Sequence, residues 1–99
     1  MPSSFRDVDP LELRVPSSRR SGADPVKYQR QRARFGASAA GMPPIIVYEG
    51  LDGFLVIYNG VTRATRIAKL APGTLVRVEV IGRLHHNYGP DPKIGDLLP

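Results

Sequence analysis

The chain contains no cysteine, which excludes a disulfide framework, a thiolate metal site and a thiol nucleophile together. It also lacks a long apolar run. No segment approaches the roughly 18 uninterrupted apolar residues of a membrane span, and the opening MPSSFRDVDP carries charges where a secretory signal needs its apolar stretch. A soluble, cytoplasmic protein without membrane association is the expectation. Missing as well is any GxxxxGK[ST] phosphate loop. Acidic residues are few: nine face fourteen Lys and Arg, for a net charge of +5. A chain of 99 residues is one domain, and folding removes only about 60–70% of its unfolded surface from water, so its core is modest.

The positive charge is unevenly placed. Residues 1–41 hold eight basic and four acidic side chains, and residues 42–99 hold six and five. Arg19, Arg20, Lys27, Arg30, Arg32 and Arg34 crowd one stretch, which creates a potential attractive to phosphates or acidic surfaces. The plainer reading is a solvated helix face, and both stay open.

Punctuation residues divide the chain. SFRDVDPLEL alternates only loosely, and Pro10 restricts any strand there to a short or edge one. VPSSRRSGA, residues 15–23, has no periodicity and reads as a loop. Asp24-Pro25 then signals a helix start, an N-cap acceptor followed by a residue that loses no intrahelical bond. The spacing predicts a helix from 25 to about 40, with Val26, Gln29, Ala33, Ala37 and Ala40 on one stripe and Gly41 as its cap. Gly36 is expected only to weaken its middle, by about 1 kcal/mol. IIVYE at 45–49 and FLVIY at 54–58 read as strands joined by the short loop Gly50-Leu51-Asp52-Gly53. TLVRVEVI at 74–81 sets Val76, Val78 and Val80 on one face, as in a half-buried strand. Residues 85–99 are polar and rich in Gly and Pro, which fits a tail over the surface or partly disordered.

YNGVTRATRIAKL, residues 58–70, poses a choice between a hairpin and a helix. Asn-Gly between apolar runs is a hairpin signal. Alternate positions after Gly60 are Val, Arg, Thr, Ile and Lys, however, whereas Val61, Ala64, Ile67, Ala68 and Ala71 follow helical spacing. A helix over 61–71 is predicted, ended by Pro72-Gly73, with Lys69 suited to the dipole's negative end. Its first amides, with Arg63 and Arg66 nearby, form a candidate anion site. An ordinary strand-to-helix junction is the alternative.

The order DVDPLEL, helix, GMPPIIVYEGLDGFLVIYNGVTRATRIAKL, TLVRVEVI resembles the ParB N-terminal domain and the related sulfiredoxin fold over roughly residues 5–82. The resemblance implies an α+β, single-domain fold spanning 1–84, with a short mixed or antiparallel sheet and two or more helices. It also implies a glycine turn against nucleotide phosphates. Such turns usually read Gly-Glu-Arg-Arg; Gly60 and Arg63 match the first and last members, and Val61 and Thr62 replace the middle two. CTP hydrolysis and nuclease chemistry lose their usual polar groups by that replacement. The helix-turn-helix reader of partition proteins has no counterpart here, so sequence-specific DNA reading is not expected. Sulfiredoxin carries its catalytic cysteine immediately after the same glycine; this chain has Val61, and that activity is chemically excluded.

Three functions follow. The first is a phosphate-binding module of ParB-like type for a nucleotide, CTP or ATP, or for a nucleic-acid backbone. It would use Gly60, Thr62, Arg63 and Arg66, with Arg30, Arg32 and Arg34 as a nucleic-acid-binding helix. The second is a degenerate scaffold acting through a protein partner. The third is a small nuclease or toxin-like enzyme drawing on Asp7, Asp9, Glu49 or Asp52, whose spacing is not diagnostic. His85 and His86 read as solvated tail rather than metal ligands, because adjacent side chains in extended chain point apart. Tyr48, Phe54, Tyr58 and Phe35 are expected chiefly in the core, with base stacking as the alternative.

Overall fold

A computed structural model describes residues 3–99; Met1 and Pro2 of the expected domain lie outside the described residues. Four strands form one mixed sheet: β1 (Ser4–Val8), β2 (Ile45–Glu49), β3 (Leu55–Asn59) and β4 (Val76–Arg83), in the order β1-β4-β2-β3. β1 runs antiparallel to β4, β2 antiparallel to β3, and β2 parallel to β4. Two helices complete the α+β domain, α1 (Pro25–Phe35) and α2 (Val61–Leu70). No helix among the described residues is long and apolar enough to cross a membrane.

The β2–β3 hairpin forms where β-branched runs flank a turn: the Gly50 amide donates to Phe54 O at 2.9 Å and the Gly53 amide to Gly50 O at 3.1 Å. β1 and β3 are the sheet's two edge strands, and β1 ends at Val8, before Pro10. Val76, Val78 and Val80 of β4 are buried with Ile45 and Val47 of β2 and Ile57 of β3. α2 covers that face with Val61, Ala64, Ile67 and Ala68, the residues of the helical period read after Gly60, while Thr62, Thr65 and Arg66 are buried as well.

Three expectations are corrected. α1 ends at Phe35 rather than near Ala40. Gly36 adopts φ +56°, and its amide donates to Arg32 O at 2.9 Å, so it stops the helix rather than softening its middle. The expected stripe is not the buried one: Val26 is 63% exposed, and Tyr28 is the helix's buried side chain. The aromatics are not core either, since Tyr58 is 70% exposed and Phe35 and Phe54 are also exposed. For Tyr58 the physical reason is that α2 packs on one face of the sheet only. Register places Ile46, Tyr48 and Tyr58 on the other face with Phe5 and Glu79.

The C-terminal segment is part of the fold. Arg14 covers the outer edge of β3, its amide donating to Leu55 O at 2.8 Å and its carbonyl accepting from Ile57 N at 2.9 Å. The tail pairs with that same stretch: the Val15 amide reaches Pro92 O at 2.8 Å, and the Ile94 amide reaches Leu13 O at 2.9 Å. Ile94 is fully buried, and burying such a side chain contributes about 1.5–3 kcal/mol.

α1 is sensitive to acid through its cap. The Asp24 carboxylate accepts from the amides of Lys27 at 3.2 Å and Val26 at 2.8 Å. These bonds hold it below the usual carboxylate range, Lys27 first and Val26 second. A depressed folded value means stability that is present above the unfolded value and lost as pH falls through the folded one. In an acid titration, the amides of residues 26–28 should lose exchange protection below about pH 4, and Asp24→Asn should remove that dependence. Unchanged protection of these amides to pH 2 would show the cap to be unimportant.

Candidate functional site

β3 delivers the chain to Gly60, which turns it at φ +120°, ψ +20° directly into α2. The first intrahelical bond runs from Ala64 N to Gly60 O at 2.9 Å. The amides of Val61, Thr62 and Arg63 therefore have no acceptor within the helix. Glycine has no side chain to cap them, in contrast to Asp24 at the start of α1. Three donors and the positive end of the helix dipole thus face outward together.

They open onto a cleft of about 220 Å³ lined by Arg19, Lys27, Gln31, Asn59, Thr62 and Arg63 along with the glycine turn. Three cationic side chains line it and no carboxylate does. Arg63 is held in place from below, Nη2 donating to Pro44 O at 3.1 Å. Its Nε is buried without a partner. Burial also lowers its pKa from the ordinary arginine value. Thr62 is only 8% exposed, and no group among the described residues hydrogen-bonds its hydroxyl, whereas Thr65 one turn later donates to Val61 O at 2.8 Å.

Arg66 occupies a different environment from the one its spacing implied. It is 2% exposed. Nη1 donates to Gly36 O at 2.8 Å and Ser38 O at 2.7 Å, and Nε to Gln31 Oε1 at 3.4 Å. Its charge is engaged in closing the segment after α1, and burial lowers its pKa despite the opposing effect of Tyr28. The second and third cations of the cleft are Arg19 and Lys27, which the sequence marked only as part of a charge run. Lys27 and Gln31 lie four residues apart on α1 and so share a face. Arg19, distant in sequence from Gly60, reaches the cleft only by folding.

Arg30, Arg32 and Arg34 are exposed on α1, and none lines the cleft. The carboxylates considered for catalysis are separated and engaged. Asp7 pairs with Arg77 at 3.6 Å and Glu49 with Arg6 at 3.3 Å. Asp9 Oδ1 accepts from Leu11 N at 3.0 Å, and Asp52 Oδ2 from Gly89 N at 2.8 Å. His85 and His86 are both exposed, with the His86 ring against Tyr88 at 4.7 Å. Among the described residues no three His, Cys, Asp or Glu side chains are grouped to hold a metal ion.

The chain matched none of the protein families, curated proteins or solved structures with which it was compared.

Proposed function

We propose that this protein is a ParB/sulfiredoxin-like phosphate-binding module, acting in the cytoplasm, that takes a phosphate of a nucleotide (CTP or ATP) or of a nucleic-acid backbone at the start of α2. The observation that carries this reading is an uncapped helix start opening onto a cleft with three cationic side chains and no carboxylate. Unsatisfied amides and the dipole favour an anion. Arg19 and Arg63 add planar donors suited to phosphate oxygens, and Lys27 adds a compact charge. With the candidate carboxylates elsewhere, the cleft has no general base among its lining side chains, so it is read as a binding site rather than a hydrolytic one.

The test is an NMR titration of labelled protein with inorganic phosphate, CTP and ATP. Amide signals of residues 60–63 should move first and saturably. Arg19→Ala and Lys27→Ala, both exposed positions, should each weaken binding about fivefold to tenfold, the scale of one partly solvated charge-assisted hydrogen bond. If those amides stay still while shifts scatter over Arg30–Arg34, the glycine turn is scaffold and only the charge run attracts anions.

A further inference from the structure

Of three other clefts that share residues with the phosphate cleft, the one of about 380 Å³ around Asp24 carries no aromatic ring, and two do. One, of about 230 Å³, shares Gln31 and Arg63 and is faced by Phe35 and Met42. The other, of about 400 Å³, shares Arg19 and is faced by Tyr48, Tyr58 and Tyr88. A positively lined site thus adjoins an aromatic surface at two boundaries, with an arginine at each: Arg63 beside the Phe35 cleft, and Arg19 leading around the edge of the sheet to the tyrosines on the face opposite α2. The aromatic surfaces are accessible: Phe35 is 47% and Tyr58 70% exposed. Tyr48 braces Tyr58 edge-on at 5.7 Å between centroids, which fixes the ring that faces solvent. These exposed rings offer aromatic surface to a planar ligand, the Phe35 ring alongside the guanidinium groups of Arg34 and Arg66, each 5.3 Å from its centroid.

Resting on the phosphate reading above, we propose that the ligand is single-stranded nucleic acid. One phosphodiester sits at the start of α2, one neighbouring base stacks in the Phe35 cleft, and the other stacks in the tyrosine cleft. One observation independent of the helix start's amides points to a ligand in the middle position: the Thr62 hydroxyl, in a side chain more than nine-tenths buried and lining the cleft without a protein partner. A single nucleotide carries one base and fills one flanking cleft. A dinucleotide step fills both, and its phosphate lies between two bases as the cationic cleft lies between two aromatic ones. Stacking on Tyr and Phe faces tolerates any base, so little sequence preference is expected, and the net charge of +5 favours a polyanion.

The experiment compares inorganic phosphate, ATP, fluorescein-labelled decathymidylate and a ten-base-pair duplex on the full chain, using anisotropy for the oligonucleotides and amide shifts for all four. Decathymidylate should bind at least tenfold more tightly than ATP and more tightly than the duplex, whose bases are already stacked. Tyr58→Leu and Phe35→Leu keep apolar bulk but remove the ring. Each should weaken decathymidylate about tenfold while leaving the phosphate-induced shifts at residues 60–63 unchanged, and those retained shifts also show that the variants are folded. Equal binding of ATP and decathymidylate, equal binding of the duplex, or insensitivity to both substitutions overturns the single-strand proposal. If phosphate and ATP still move residues 60–63 in that case, the phosphate site survives it. If no probe moves those amides, both readings fall.

Discussion

Arg66→Met should destabilise the fold by about 2–4 kcal/mol in urea denaturation, because one guanidinium closes the segment between α1 and β2. Its Nη1 serves Gly36 O and Ser38 O at 2.8 and 2.7 Å, its Nη2 lies 3.6 Å from Met42 Sδ, and its charge lies 5.3 Å from the Phe35 ring. A hydrogen bond to a charged group contributes about 1.5–3 kcal/mol net, and removing the donor also leaves acceptors without a partner. Methionine fills similar apolar space, so the loss should reflect the polar contacts rather than a cavity. Arg66→Lys should recover less than half of it, since an ammonium cannot reproduce the planar fork that reaches both carbonyls. Hydrogen exchange should show residues 36–42 loosening before the sheet does. A stability change under about 0.5 kcal/mol, the scale of an ordinary surface substitution, would mean that these carbonyls are equally well satisfied by water.

Gly60→Ala should both destabilise the protein and disable the cleft. The glycine holds φ +120°, a region L side chains rarely enter, and such strain costs about 1–3 kcal/mol. A β-carbon there would also meet Arg63 Nη2 at 2.9 Å and Ile45 Cγ2 at 3.1 Å. The arginine end can move; the buried isoleucine cannot move freely. Relief of the first contact displaces Arg63 from Pro44 O and from the cleft, so phosphate-induced shifts at residues 61–63 should vanish even at a temperature where the variant is fully folded. A folded Gly60→Ala protein that still binds phosphate with wild-type affinity would remove the glycine turn from the site.

Some of this was legible in the residues because it depends on local spacing. Asp24-Pro25 starts α1, the valines of β4 share one face, and the three-four spacing after Gly60 outweighs an Asn-Gly hairpin signal. Each rests on backbone preference or side-chain period within a few residues, and neighbours in sequence determine both. The glycine turn was legible for the same reason, as a strand period that changes to a helix period at one residue.

What sequence alone determined is therefore the α+β class, the identity of the elements and the position of one uncapped helix start. Tertiary structure decided which charges that start faces. Arg63 and Arg66 are equivalent in composition and near one another on the helix, yet one opens onto the cleft and the other is buried against Gly36 and Ser38, because the helix's rotation against α1 separates them. The end of α1 combines both: Gly36 takes a positive φ at the helix end, and its carbonyl then accepts from an arginine distant in sequence. The tail was decided by the open edge of the Leu13–Val15 stretch, whose backbone groups pair with Pro92 and Ile94. In each case a hydrogen-bonding group is satisfied by a partner remote along the chain, and no local period carries that pairing.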